Sequence, residues 1–237
     1  MSTITRGQRL YFAAVGLLAV WVGLWGTFAP AQVARAIPWT VPPLHARFLG
    51  AMYLSGATFM AGCLLARRGR EVRLVVPMAA TWTGLLLLVS LAHLEAFDAA
   101  RVQTWVWFAA YLAYPLVALW LAWRNRDAWR APYDGAAPPA WAVAAMTAFG
   151  AAFTGLGIAL LAATTPMVAA WPWPITPLLA RLYAAPLRAY GLGGLTARRA
   201  PWSEARIVVV ASLVFCALVL AASSLHRALF LPFDVAA

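Results

Sequence analysis

Long apolar runs alternate along this chain with short segments rich in arginine, proline and tryptophan. A helix that crosses a bilayer needs about 20 mainly apolar residues, because a rise of about 1.5 Å per residue must cover about 30 Å of hydrocarbon. Seven stretches reach that length: Tyr11 to Phe28, Leu44 to Ala66, Leu74 to Leu94, Trp105 to Trp123, Ala140 to Thr164, Pro177 to Ala197 and Ile207 to Phe230. Their apolarity is continuous and rich in Leu and Ala, which predicts helices; the strands of a membrane barrel would alternate over about ten residues. The expected fold class is an all-α integral membrane protein with about seven transmembrane helices.

The polar segments repeat. "PWTVPPLHAR" at 38–47 and "PWPITPLLAR" at 172–181 carry Pro, Trp, Pro, Leu, Ala and Arg in the same places. Aligning them also brings "CLLARRGREVR" opposite "GGLTARRAPWSEAR", and "SLAHLEAFD" opposite "SSLHRALFLPFD", with small gaps. This predicts a tandem duplication: a three-helix repeat over 1–98, a bridging helix and cytoplasmic linker over 99–139, and a second three-helix repeat over 140–237. The bridging fourth span adds one crossing, so the second copy has the orientation of the first, a parallel repeat. The linker stretch "RNRDAWRAPYDGAAPPA" carries Pro, Gly and charge and reads as a connection with no chemistry of its own.

Composition agrees with this picture. Of 237 residues, 64% are hydrophobic and 11% charged, which leaves no room for a sizeable soluble domain. The net charge of +11 is carried entirely by arginine. Its clusters lie between spans, as expected of cytoplasmic loops facing anionic headgroups, and nucleic acid is not an expected partner. Arg6 and Arg9, "RRGREVR" at 67–73, "RNRDAWR" at 124–130, and Arg198, Arg199 and Arg206 all fall on one side of a seven-span chain. The other side holds Arg35 and Arg101 beside Glu95, Asp98 and Asp234. The N-terminus is therefore expected in the cytoplasm and the C-terminus outside, in a bacterial inner membrane. "ARA" at 34–36 can pass for a signal cleavage site, but the preceding apolar run is long for a signal peptide and reads as a retained first span. Cys63 and Cys216 lie in apolar stretches and form neither a disulfide framework nor a zinc motif.

Candidate binding residues follow from position. Pro43 and Pro177 suit the first turn of a helix, where a missing N–H costs nothing. Trp39 and Trp173 suit the headgroup layer as interfacial anchors. Arg47 and Arg181 then lie one turn inside, able to snorkel to lipid phosphates. These elements are either anchors that set helix depth or a paired site for an anionic headgroup. Arg188 falls near the bilayer centre, where an arginine costs about 2.5–3.5 kcal/mol on insertion scales. It shares a helical face with Arg181, and Tyr183 with Tyr190 repeats that spacing on the adjacent stripe. Pro186 is expected to kink this helix. The first repeat has Leu54 in place of Arg188, so a site there is asymmetric. His93, Glu95 and Asp98 end the third span, and His226 takes the matching place in the second copy. That set can relay protons or simply be solvated. No HExxH pattern occurs, and no metal or catalytic residue is assigned. "GAMYLSGATFMAG" and "AFGAAFTGLG" carry small residues at helix-packing intervals.

"FAP" closing the first span, "ARFLGAMYLSG" opening the second, "HLEAFD" ending the third and "WVWFAAYLAYPL" in the fourth resemble the small bacterial four-helix DoxX-like membrane proteins, and duplicated relatives of that type. The resemblance covers about the first half and implies a compact helical bundle. The function expected is non-enzymatic: an accessory subunit of a membrane complex, or a binder of lipid or a hydrophobic, quinone-like molecule. The partners would be membrane lipids, other subunits or a second copy. The rival expectations are a transporter or channel for a small anion, and an intramembrane enzyme on lipid or isoprenoid substrates; the latter lacks any DDxxD-like run.

Overall fold

The computed structural model describes residues 3–230, and they form a helical bundle. Asp234, assigned above to the outer side, and the end of the "FLPFD" match lie outside the described residues. In chain order the helices are α1 (Arg6–Phe28), α2 (Pro43–Leu65), α3 (Val75–Leu91), α4 (Val102–Arg124), the short α5 (Arg126–Arg130), α6 (Ala140–Ala162), the short α7 (Thr164–Ala169), α8 (Pro177–Ala197) and α9 (Trp202–Leu225). Six segments, α1, α2, Gly69–Leu91 (the turn before α3 together with α3), α4, α6 and α9, are long and apolar enough to cross a membrane, the pattern of a multi-pass membrane protein.

Local signals set the helix ends. The Thr5 hydroxyl accepts from Gln8 N at 3.3 Å while Gln8 Oε1 accepts from Thr5 N at 2.7 Å, a reciprocal cap that starts α1 five residues before its apolar run. Pro43 and Pro177 occupy first turns, and the Thr176 hydroxyl caps α8 by accepting from Leu179 N at 3.2 Å. α9 begins at Trp202 rather than Ile207, because Pro201 starts a helix whose first turns carry Ser203, Glu204 and Arg206.

The remaining expected span, the sixth in chain order, is α8, with the bounds read from sequence, yet it is not among the six apolar segments. Its surroundings explain why. Fifteen of its 21 residues are buried, so neighbouring helices rather than lipid solvate it, and it can carry arginine and glycine. Pro186 sits inside α8, which continues through it as one helix. α2 is the other enclosed helix.

Packing couples the two halves. α1 lies on α2 and α6 lies on α8; α3 crosses to pack on α8, α9 crosses to pack on α2, and α4 lies on α3. At the α1/α2 contact a Cβ on Gly50 would come within 2.4 Å of Thr27 N, and at the α6/α8 contact one on Gly191 would come within 2.8 Å of Thr154 N. Backbones approach this closely only where side chains are absent, which in lipid substitutes for a hydrophobic driving force.

The linker does more than connect. Trp129 Nε1 donates to Gly69 O at 3.1 Å, and Arg73 donates to the carbonyls of Trp129 and Ala131 at 3.1 and 2.9 Å. Arg70 reaches Pro132 O at 2.6 Å, and the Arg73 guanidinium lies 3.9 Å from the centre of the Tyr133 ring. The segment between α4 and α6 is thereby folded over the arginine-rich turn between α2 and α3.

Candidate functional site

Two polar layers cap the bundle. At the end where α2 and α8 begin, Arg47 Nη1 lies 2.5 Å from His226 Nε2, and Arg181 Nη1 lies 2.9 Å from His93 Nε2. A guanidinium only donates, so both Nε2 atoms accept. His93 Nδ1 then donates to Glu95 at 3.3 Å, and Arg181 Nε donates to the Thr164 hydroxyl at 3.0 Å. Burial first, and the Arg47 charge second, push the His226 pKa below its ordinary value. Asp98 does not join this set; its carboxylate accepts from Ala100 N at 2.9 Å and shapes the loop before α4.

His45, which sequence reading did not place in any site, joins α2 to α8 at this end. Its Nε2 is 3.0 Å from Pro174 O, a pure acceptor, so Nε2 carries the proton and Nδ1 accepts from the Tyr183 hydroxyl at 2.5 Å. The signal available was the mismatch of "PLHAR" with "PLLAR" inside an otherwise matching motif. Tyr190 lies deeper: its hydroxyl meets that of Ser55, which donates to Ala211 O at 2.8 Å, and its ring stacks on Phe215.

The two tryptophans face inward. Trp39 is 6% exposed and packs edge-on against Phe97 and Trp107; Trp173 packs on Phe48, Trp171 and Phe230. Both indole N–H groups are buried without a hydrogen-bond partner among the described residues. The two side chains tie the loops before α2 and α8 to the bundle.

At the opposite end Arg206 lies 2.5 Å from Glu71, and Arg73 pairs with Glu204. Glu71 also accepts from Arg67 N and Arg68 N at 3.1 and 2.8 Å. Glu95 and Asp98 are at the other end, and Asp127 and Asp134 are in or beside the linker, so the described carboxylates all lie away from the middle of the long helices.

Arg188 stands apart from both layers. It is the twelfth residue of the 21 in α8, its stem packs over Gly157 of α6, and its guanidinium has no hydrogen-bond or ion-pair partner among the described residues. It lines a groove of about 510 Å³ whose other walls, including Ala80, Gly84, Leu88, Ile158 and Leu161, come from α3 and α6. Arg181 with His93 lies on the same face about 10 Å farther along α8, at about 1.5 Å per residue. A cation among apolar walls with an open side can pair with the head of an amphiphile while the walls receive its chain. A second, smaller cavity of about 110 Å³ is enclosed by α1 to α4 and α8, where the Tyr53 and Tyr111 hydroxyls are 2.7 Å apart. Among the described residues no three His, Cys, Asp or Glu side chains converge as a metal site would require.

No family model, curated protein or solved structure matches this chain, so the likeness to DoxX-like proteins rests on its quoted motifs alone.

Proposed function

We propose that the protein is a non-enzymatic integral membrane protein of two parallel three-helix repeats that binds a lipid-like anion in the groove at Arg188. The observation that carries this reading is Arg188 itself: a mid-helix arginine with no partner among the described residues, on a groove walled mainly by apolar side chains. Leaving it unpaired in hydrocarbon costs about 2.5–3.5 kcal/mol, which a bound carboxylate or phosphate offsets. A second copy of the described chain brings no carboxylate to that depth.

The duplication is supported by reciprocal contacts. The offset that relates Arg47 to Arg181 also relates Gly23 to Gly157 and Leu54 to Arg188; a Cβ on Gly23 would meet Leu54 Cγ, and one on Gly157 would meet Arg188 Cγ. Arg47 reaches the histidine after α9 while Arg181 reaches the histidine after α3. On this reading α8 is the sixth of seven crossings, in a bacterial inner membrane, with the N-terminus in the cytoplasm and the C-terminus outside. An epitope placed after Ala237 is then detected only on the extracytoplasmic face of that membrane.

The binding test uses cis-parinaric acid, a fluorescent fatty acid, titrated into the detergent-solubilised protein. Binding should saturate and weaken at least tenfold in Arg188→Leu, with folding retained. Equal binding by the variant overturns the reading. So does a polypeptide that co-purifies in equal amount and is lost with Arg188→Leu, which assigns the groove to a partner helix and the protein to an accessory-subunit role. Arg188-dependent anion flux into proteoliposomes would make the protein a transporter instead.

A further inference from the structure

The two ion pairs at the arginine-rich end are alike in composition and unlike in access. Arg73 and Glu204 have side chains 6% and 4% exposed; the linker folds over Arg73 through Trp129, Ala131 and Tyr133, while Glu204 borders the cleft described next. Arg206 and Glu71 are 46% and 10% exposed, and they floor a cleft of about 780 Å³ between the end of α2 and the start of α9. Arg67 and Arg68 also line this cleft, and their guanidinium groups have no hydrogen-bond or ion-pair partner among the described residues. The cleft's other charges are matched, Arg70 lying 3.6 Å from Asp134 and 3.7 Å from Glu204. Two free guanidinium groups beside a third, half-exposed one leave an excess of positive charge with nothing among the described residues to meet it.

The cleft does not end at its polar floor. Its wall continues along the seam of α2 and α9 through Thr58, Ala61, Gly62 and Leu65 on one side and Ile207 and Val210 on the other. From Leu65 back to Thr58 is about 10 Å of helix, at about 1.5 Å per residue. A basic floor with an apolar wall running toward the bilayer interior matches a molecule that is anionic at one end and a hydrocarbon at the other. Basic recesses between transmembrane helices at a charged membrane face bind such headgroups.

We propose that this cleft is a binding site for an anionic glycerophospholipid, with the phosphodiester held by Arg67, Arg68 and Arg206 and one acyl chain lying along the α2/α9 seam. The site is separate from the Arg188 groove, which lies between α3, α6 and α8, and does not depend on it. The linker covers Arg73, the residue that corresponds to Arg206, so each chain holds one such lipid. The seam supplies the preference for a lipid over free phosphate, since inorganic phosphate leaves the apolar wall empty.

The test is a thermal melt of the full chain in a neutral detergent, with dioleoyl phosphatidylglycerol, dioleoyl phosphatidylcholine, glycerol phosphate or inorganic phosphate added at equal concentration. Phosphatidylglycerol should raise the melting temperature by several degrees and the other three should not. The double variant Arg67→Gln/Arg68→Gln should melt like the parent without lipid and lose the shift. Ala61→Phe, which fills the seam from an exposed position, should also lose it, and Arg199→Gln, an exposed arginine at the same end outside the cleft, should keep it. A shift given equally by phosphate or glycerol phosphate would make this a site for a free anion. Retention of the shift in the double variant or in Ala61→Phe, an equal shift with phosphatidylcholine, or its loss in Arg199→Gln overturns the proposal.

Discussion

Arg206 reaches the Glu71 carboxylate at 2.5 Å, joining the start of α9 to the turn after α2, and Glu204, two residues earlier on α9, takes Arg73 in return. The exchange crosses between the two halves twice. Because the linker covers Arg73 and leaves Arg206 half-exposed, the two pairs should differ in energy. Glu204→Gln leaves Arg73 buried without its carboxylate and should cost about 3–5 kcal/mol. Arg206→Gln breaks a half-exposed pair, while Glu71 keeps its two backbone donors, and should cost about 1 kcal/mol or less. Melting temperatures of the two variants in one detergent check the order; equal losses would show that the linker does not matter.

The other polar layer makes stability depend on pH. His226 is held below its usual 6.5 by burial and by the Arg47 charge. A group depressed in the folded state contributes its stability in full above 6.5 and loses it as pH falls from there through the folded value. The parent should therefore melt earlier at pH 5.5 than at pH 7.5, and His226→Gln should narrow that difference, because glutamine can accept from Arg47 without taking up a proton. An unchanged difference counts against the assignment.

Ser55 and Tyr190 should also rank unequally. Tyr190→Phe leaves the Ser55 hydroxyl its bond to Ala211 O and should cost about 1 kcal/mol. Ser55→Ala strands a buried tyrosine hydroxyl and should cost about 1–3 kcal/mol. Chemical denaturation of both variants tests the order.

Helix contacts give a contrast between glycines. Gly50→Ala would force a methyl group within 2.4 Å of the Thr27 backbone and should prevent α1 from seating on α2. Gly56, six residues along the same helix, faces open space, and Gly56→Ala should be neutral or stabilising by about 1 kcal/mol through helix propensity. Protease resistance of the two solubilised variants distinguishes them.

Much of the fold was legible because its signals are local. Pro43, Ala140 after two prolines, and Pro177 mark helix starts, and the observed starts fall at or within one residue of those read from the sequence. The largest displacements come where a helix begins in polar sequence: Arg6 and Arg9 in α1, and Glu204 and Arg206 in α9, looked like loop because hydropathy ignores caps and ion pairs. The candidate site was legible only in part. Arg188 stood out by depth, and the arginine and histidine positions by repetition. Their pairing did not, since Arg47 and His226 meet only because α9 crosses to α2, a contact that no periodicity encodes. Trp39 and Trp173 were read as headgroup-layer anchors because indoles favour that layer; the aromatic side chains they pack on come from distant segments and leave no local signal.

A single tether between two copies has a lasting evolutionary consequence on the duplication reading. Two identical halves pairing as separate chains would present matching arginine–glutamate pockets, both open. Joining them end to end requires one connecting strap, and where it lies down it screens one pocket from selection by any ligand. Fusion alone would thus have released the two halves to diverge, one toward anchoring the strap and the other toward the membrane.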